Sequence, residues 1–432
     1  MEAVKRGLAG IAICSTSFET LGRAQAKALG CPDLPLAIIP HPFGLRTREE
    51  IRQIAGRCVE DIARLVRNSE AAVDRPQSAL TGTGTALAQR LEVPGDHAGF
   101  NRYCRDRRWS DGLPLVPPTP ERVEAMLRYT RRIPEDIVAA IAPAYGAATV
   151  ERIAINAVMA GCEAAYMPVL IAAVEALADP TFNLQGIQAT THPVAPWIIV
   201  NGPLARELGV NGGPNCLGQG TWANATIGRA VRLLLQNIGG ALPGDMDRAT
   251  HGQPGKYSFC CAENEEASPW EPLHLERGYP PGASTVTVVG AGGTLNMNSH
   301  AKDADDLLRV LADTLAHPTS NDYHFGGAPW VVLSPEHAEV LKLAQLTKAE
   351  VKRRLWKESR MAASRFAARD YARARHTRGP ELGAMNAETL VPAAPTAEEI
   401  NIIVAGGPGT HSVCVPTFGQ TRAVTREVEA AN

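Results

Sequence analysis

Between residues 10 and 65 two short apolar runs alternate with two helix-patterned stretches, and this alternation constrains the fold more than any other feature of the chain. Gly10 to Cys14 (GIAIC) is a continuous apolar run of strand type. Thr16 with Glu19 has the spacing of a capping box, and Leu21, Ala24, Ala28 and Leu29 give the following segment one apolar face that Gly30 ends. Leu34 to Ile39 (LPLAII) is a second strand, closed by Pro40-His41-Pro42. Thr47 and Glu50 make another capping box, after which Ile51, Ile54, Ala55, Cys58, Ile62 and Leu65 recur at helical spacing. The order predicts a right-handed βαβ unit of a doubly wound parallel sheet. Two strands make a poor sheet of this kind on their own. Glu2 to Gly7 reads as the tail of a helix, so the rest of the sheet is expected upstream of Met1 or on a partner chain.

With 432 residues, 45% of them hydrophobic and 20% charged, the chain can bury a sizeable core. A net charge of −2 provides no basic field for nucleic acid or an anionic membrane. No apolar run approaches the roughly 20 residues a bilayer span needs, and the first residues lack a signal-peptide pattern, so a cytoplasmic location is expected. Nine cysteines scattered along a chain of this length read as free thiols.

Residues 1–68 form the βαβ domain, 69–108 read as a Gly-rich polar linker (TGTGT, VPGDHAG), and 109–432 as a larger α/β or α+β domain with a subdivision near residue 283. Helices are expected from Thr119-Pro120, from Thr149 to Gly161, from Pro168, from Ser334-Pro335, and from the capping box of Thr347 and Glu350. Strands are expected at Ser284–Val289 (STVTVV), Trp330–Leu333 (WVVL) and Asn401–Val404 (NIIV), whereas Gln188 to Pro272 reads as loop. No internal repeat of fixed period is visible.

Ligands of open α/β sheets bind beyond the carboxyl ends of the strands, and here those ends carry Cys14-Ser15-Thr16 and His41. A helix N-terminus near Ser17 would stabilise a thiolate and His41 could take its proton, which makes Cys14 and His41 catalytic candidates, with Ser15 and Thr16 binding substrate. The plainer alternative is a buried cysteine beside a turn-capping histidine. Thr250 to Glu276 is dense in reactive side chains, among them Lys256, Tyr257, Cys260, Cys261, Glu263, Glu265, His274 and Glu276. Cys260 and Glu263 are catalytic candidates and Lys256 and Tyr257 substrate-binding ones; a solvated acidic loop is the alternative. Cys260, Glu263 and His274 are permitted zinc ligands, but their spacing matches no structural zinc pattern, and no cofactor is specified. The adjacent Cys260 and Cys261 could form a strained vicinal disulfide or remain two buried thiols.

His192, with Asn201, Asn211, Asn215 and Asn224 downstream, could stabilise an oxyanion or hold a polar substrate, although asparagine also serves turns. The loops at Gly290–Gly293 and Ala405–His411 fit neither a dinucleotide nor a Walker fingerprint, yet could offer backbone N–H groups to an anion, and this makes His411 a binding candidate.

The stretch ICSTSFETLGRAQAKALGCPDLPLAIIPHPFG resembles the second half of the UGSC-like family, whose members include selenoproteins. WSDGLPLVPPTPERV, ATVERIAINAVMAGCE, GKYSFCCAENEEASPWEPLH and AGGPGTHSVCVPTFG look like the large portion of longer proteins carrying that domain. The resemblance implies thiol or selenol chemistry at a selenocysteine (or Cys)-Gly-Ser-Cys loop. This sequence has no such tetrapeptide, and an upstream selenocysteine codon read as a stop would account for a start at Met1. The resulting expectation is a thiol- or selenol-type enzyme, redox or nucleophilic, acting on a small polar metabolite. A metal-dependent hydrolase or lyase using His192, Cys260, Glu263 and His274 is the alternative. A third reading is a non-catalytic subunit that completes its sheet with a partner chain or as a homo-oligomer.

Overall fold

The computed structural model describes residues 10–43, 46–69 and 87–429, together with Val4 and Leu8. Apart from Val4, the expected helix tail at Glu2–Gly7 lies outside the described residues, as does the TGTGT part of the expected linker. The fold is of mixed α/β type, with several small sheets.

Near the N-terminus β1 (Ala12–Ser15) and β2 (Leu36–Ile39) pair in parallel, Cys14 opposite Ile38 and Ser15 opposite Ile39. Helix Glu19–Ala28 joins them, burying Ala26 against Cys31 and Leu34, and helix Arg48–Ser69 follows. The Thr47–Glu50 capping box forms, each group satisfying the other's N–H. The Thr16–Glu19 box does not. Thr16–Phe18 make a tight 3₁₀ turn, and Thr16 Oγ1 accepts instead from the amide of His41 at 3.3 Å. The hydroxyl thereby ties the ends of the two strands together. Gln25 Nε2 donates to Tyr145 Oη at 3.3 Å, linking this unit to the rest of the molecule.

Part of the expected linker is helix. Asp96 caps His97–Asp106, whose Phe100 and Cys104 enter the large core. The hairpin β3 (Ile137–Ile141) and β4 (Gly146–Thr149) leads into helix Val150–Ala160, which Thr149 caps and Gly161 ends at φ 90°, as expected from sequence. Helix Met167–Leu177 is buried along nearly its whole length. No single helix among the described residues is long and apolar enough to cross a membrane.

The stretch Gln188 to Pro272 is not loop throughout. It contains the fully buried strand β5 (Ala195–Asn201), β6 (Cys260–Ala262) and the 16-residue helix Trp222–Asn237. Its asparagines and glycines terminate and brace these elements, while Ile227, Ala230, Val231 and Leu234 supply an apolar helical face. β5 pairs in parallel with β6 and antiparallel with β7 (Thr285–Ala291). The chain then crosses to a second sheet through β8 (Leu295–Asn298) and β9 (Trp330–Leu333). A small antiparallel pair, β10 (Met361–Ala362) and β11 (Leu390–Val391), lies to one side. β12 (Asn401–Val404) and β13 (His411–Val415) complete the second sheet, and β14 (Val424–Glu427) returns to the first.

The first sheet has the order β14-β7-β5-β6 and the second β8-β13-β9-β12. Each contains one parallel pair followed by two antiparallel ones. Their inner faces meet through Trp197, Ile199, Cys261 and Val289 on one side and Trp330, Val332, Ile403 and Val415 on the other, with the two tryptophan rings edge-to-face at 5.6 Å. Their outer faces are covered by separate sets of helices, giving four layers: helix, sheet, sheet, helix.

The central strands share a sequence as well. Ala195-Pro196-Trp197-Ile198-Ile199-Val200 is matched by Ala328-Pro329-Trp330-Val331-Val332-Leu333 with the same residues facing inward. The two four-stranded sheets are thus built from two like halves, which exchange their last strands. The repeat escapes a search for a fixed period because the segments between its strands differ in length.

Candidate functional site

The parallel strands β5 and β6 end side by side, and the residues that follow them form a buried polar cluster. Asn201, last in β5, donates through Nδ2 to Glu263 Oε2 at 2.6 Å and to Glu265 Oε1 at 2.9 Å. The amide of Gly202 donates to the same Glu265 oxygen at 2.7 Å. Only glycine fits there, since φ is 86° and a Cβ would lie 2.2 Å from the carbonyl oxygen of Ala283. The Leu273 amide donates to Glu263 Oε2 at 2.8 Å, which fixes the short helix Leu273–Glu276 over the strand ends. His274, also buried, places Nδ1 3.6 Å from Glu265 Oε1, too far for a hydrogen bond.

Four polar atoms in this cluster have no partner: Glu263 Oε1, Asn201 Oδ1 and both ring nitrogens of His274. Buried groups without partners are uncommon and point to a strain reservoir or an unfilled role. Burial pushes the Glu263 carboxyl up to about 7, with Glu265 adding to the rise, against the lowering effects of Lys348, the Leu273 amide and Asn201. Glu263 can therefore hold or release a proton near neutrality.

Beyond the helix Leu273–Glu276 opens a cleft of about 790 Å³, lined by Glu276, Arg277, Lys348, Lys352, Asn401 and Arg422 among others. The capping box of Thr347 and Glu350 starts helix Lys348–Glu358, so Lys348 and Lys352 stand one turn apart on one face. Both ammonium groups bind the Glu276 carboxylate, Lys348 at 2.8 Å, and both lysine side chains are less than a tenth exposed. Burial pushes the Glu276 carboxyl up, but the two lysines more than reverse this and hold it below the usual range. Burial also lowers the Lys352 ammonium, against the pull of Glu276. Arg277 Nη2 donates to Asn401 Oδ1 at 2.7 Å and Arg422 pairs with Glu399. Two cations thus share one anion at the wall of the cleft.

The other candidates from sequence lie away from this cluster. In β1, Ser15 Oγ meets His41 Nδ1 at 3.2 Å, whereas Cys14 Sγ points the other way, against Gly22, and donates weakly to the Ser15 carbonyl. Burial and Glu19 raise the Cys14 thiol despite Arg23, the opposite of an activated thiolate. His192 precedes β5, and a seven-residue strand spans about 23 Å, so His192 and Glu263 lie at opposite ends of the sheet. There His192 Nδ1 accepts from Val194, and Lys256 binds Asp247 at 2.7 Å. Tyr257 is exposed. Cys260 and Cys261 face opposite sides of the sheet, Cys260 into the helical layer and Cys261 between the sheets. All nine cysteines are free, so no vicinal disulfide forms. Burial raises the Cys260 thiol above its ordinary range.

Asn224 spends its side chain on the backbone of Asn211 and Cys216, bracing a loop. His411, exposed at the start of the inner strand β13, meets Asn296 on β8. Among the described residues no group of three or more His, Cys, Asp or Glu side chains is placed to hold a metal ion. Of the sequence candidates, Asn201 and Glu263 come together, with Glu265 and His274 beside them, and Ser15, Thr16 and His41 meet separately at the ends of β1 and β2 without Cys14. Lys348 and Lys352 escaped sequence reasoning because a basic helix reads as a solvated one, their one-turn spacing being the available signal, and Arg277, just past the helix Leu273–Glu276, escaped as well.

Residues 1–68 match the model of the UGSC family, so the N-terminal segment carries the features of a UGSC-like domain. No curated protein and no solved structure matches the chain.

Proposed function

We propose that the protein is an enzyme that binds a small anionic metabolite in the cleft beside Lys348 and Lys352 and moves a proton on it. The observation that carries this reading is the pair of buried ammonium groups sharing the single carboxylate of Glu276. An incoming carboxylate or phosphate would replace or join Glu276 and gain charge-assisted hydrogen bonds in a partly desolvated site. Glu263, one helical turn behind, supplies a carboxyl able to exchange a proton at neutral pH, with Asn201 and the Leu273 amide orienting it. Thiol chemistry at Cys14 or Cys260 has less behind it, because burial raises both thiols. The parallel β1–β2 pair, with Ile13 58% exposed, supports the further reading that this unit is part of a larger doubly wound sheet.

Calorimetric titration of the full chain with malonate, succinate, citrate and inorganic phosphate tests the proposal. Saturable binding of at least one of them, weakened by salt and lost in Lys348→Met/Lys352→Met, is expected. Absence of binding by all four, or affinity unchanged in the double variant, overturns it.

A further inference from the structure

The cations that line the cleft differ in how their charge is met. Arg422 pairs with Glu399, Arg353 lies 3.8 Å from Glu350, and Lys348 and Lys352 share Glu276. Arg277, on the same wall, has no carboxylate within ion-pair distance among the described residues. Its Nη2 donates instead to a neutral group, Asn401 Oδ1, at 2.7 Å. Asn401 is 4% exposed at the start of β12 and is itself fixed, because its Nδ2 donates to the carbonyls of Ala328 at 3.3 Å and Glu399 at 2.9 Å. A buried amide on a sheet thus holds one corner of an exposed guanidinium and leaves its charge uncompensated. A guanidinium presents five N–H donors in a planar fork, and among the described residues only Asn401 accepts from this one through a side chain.

Arg277 follows Glu276 directly in the chain, which places it next to the lysine pair. Burial is the main cause of the lowered Lys352 ammonium, and Lys348 and Arg277 lower it further as like charges. Lys348, Lys352 and Arg277 bring three positive charges against the one negative charge of Glu276, so two stay unmatched. We propose that the anionic metabolite bound here is a small dicarboxylate, with one carboxylate on Lys348 and Lys352 and the other in the fork of Arg277. This rests on the anion site proposed above and narrows its substrate class, with Arg277 as the specificity-determining residue. A dicarboxylate supplies the two missing negative charges, and the two oxygens of its far carboxylate match two parallel N–H groups of the guanidinium. The cleft, at about 790 Å³, has room for both ends of such a molecule.

The test is calorimetric titration of the full chain with succinate and glutarate, each against the monocarboxylate of equal chain length, butyrate and pentanoate. At least one diacid should bind about tenfold or more tighter than its monoacid, as expected for one added charge-assisted contact. Arg277→Gln, which keeps a donor for Asn401, should bring that ratio close to one. Arg277→Lys, which keeps the charge without the fork, should fall between. Equal affinities for diacid and monoacid in the wild type, or a ratio that persists in Arg277→Gln, overturn the dicarboxylate assignment while the anion site stands. No binding of any of these acids or of inorganic phosphate overturns the anion site and the assignment together. The wild-type comparison alone decides if the variants do not fold.

Discussion

At the end of β5 the chain continues Asn201-Gly202-Pro203; at the end of the equivalent strand β9 it continues Ser334-Pro335. One residue past the paired part of β6 stands Glu263, and one residue past the paired part of β12 stands Ala405. At the corresponding place in the second half the polar groups around His337 are all partnered. His337 Nε2 lies 2.9 Å from the Ser299 carbonyl and must donate to it, so Nδ1 accepts from Ser412 Oγ at 2.7 Å, and that oxygen accepts from the Ser334 amide at 3.0 Å. The first half leaves four buried atoms without partners around Glu263. An unsatisfied buried group costs about 1–3 kcal/mol. The same frame therefore carries a closed polar network in one half and an open, costly one in the other, and the open one borders the charged cleft.

The largest expected effect tests whether the halves share one core. Trp197→Ala and Trp330→Ala should each lower stability by about 3–5 kcal/mol in urea unfolding. Because the rings touch at 5.6 Å, the double variant should lose less than the sum. Strict additivity would mean that the two halves fold on separate cores.

A smaller effect separates the halves by pH. The Glu263 carboxyl is raised from 4.5 to about 7. Its contribution to stability is full below pH 4.5 and lost as pH rises through 7, because the folded state binds the extra proton in that window. The loss in the wild type should be on the order of 2–3 kcal/mol between pH 5 and 8. Glu263→Gln, which keeps an oxygen for Asn201 and Leu273, should remove most of it. Asp322 in the second half is raised to about 6, also by burial and against its Thr417 and Ser320 donors. Its loss, of the same sign, falls mostly below pH 6 and persists in both proteins. A pH slope unchanged in Glu263→Gln would place the titration elsewhere.

What the sequence made legible follows from which residues carry one meaning. The runs STVTVV, WVVL and NIIV became β7, β9 and β12, because uninterrupted apolar residues flanked by breakers suit a strand buried on both faces. PWIIV is obscured by its surroundings: His192 and Asn201 give the neighbourhood the look of a loop, although they only bracket the strand. The Trp197/Trp330 repeat rests on six residues and needs the sheet order to be seen. At the site, Glu263 was readable from the density of reactive side chains around it and Asn201 from the series of asparagines that follows His192. Their grouping with His192 and Cys260 failed on strand length and on strand alternation, both of which require the pairing register. The deficit of charge at Glu276 was invisible, since it depends on a helix more than seventy residues downstream.

The finest distinction between the halves lies in their two buried histidines. His337→Phe should cost about 1–3 kcal/mol, since it leaves the Ser299 carbonyl and the Ser412 hydroxyl buried with one partner fewer. His274→Phe removes two nitrogens that have no partner to lose, so its change should stay within about 1 kcal/mol, by steric adjustment of the larger ring. Anion binding in the cleft gives the opposite ranking: it should survive His337→Phe, which acts in the far half, and weaken in His274→Phe, where the ring lies between Glu265 and the helix bearing Glu276. Equal losses of stability in both variants, with binding unaffected in both, would mean that His274 is as structural as His337 and that the open network belongs to the scaffold.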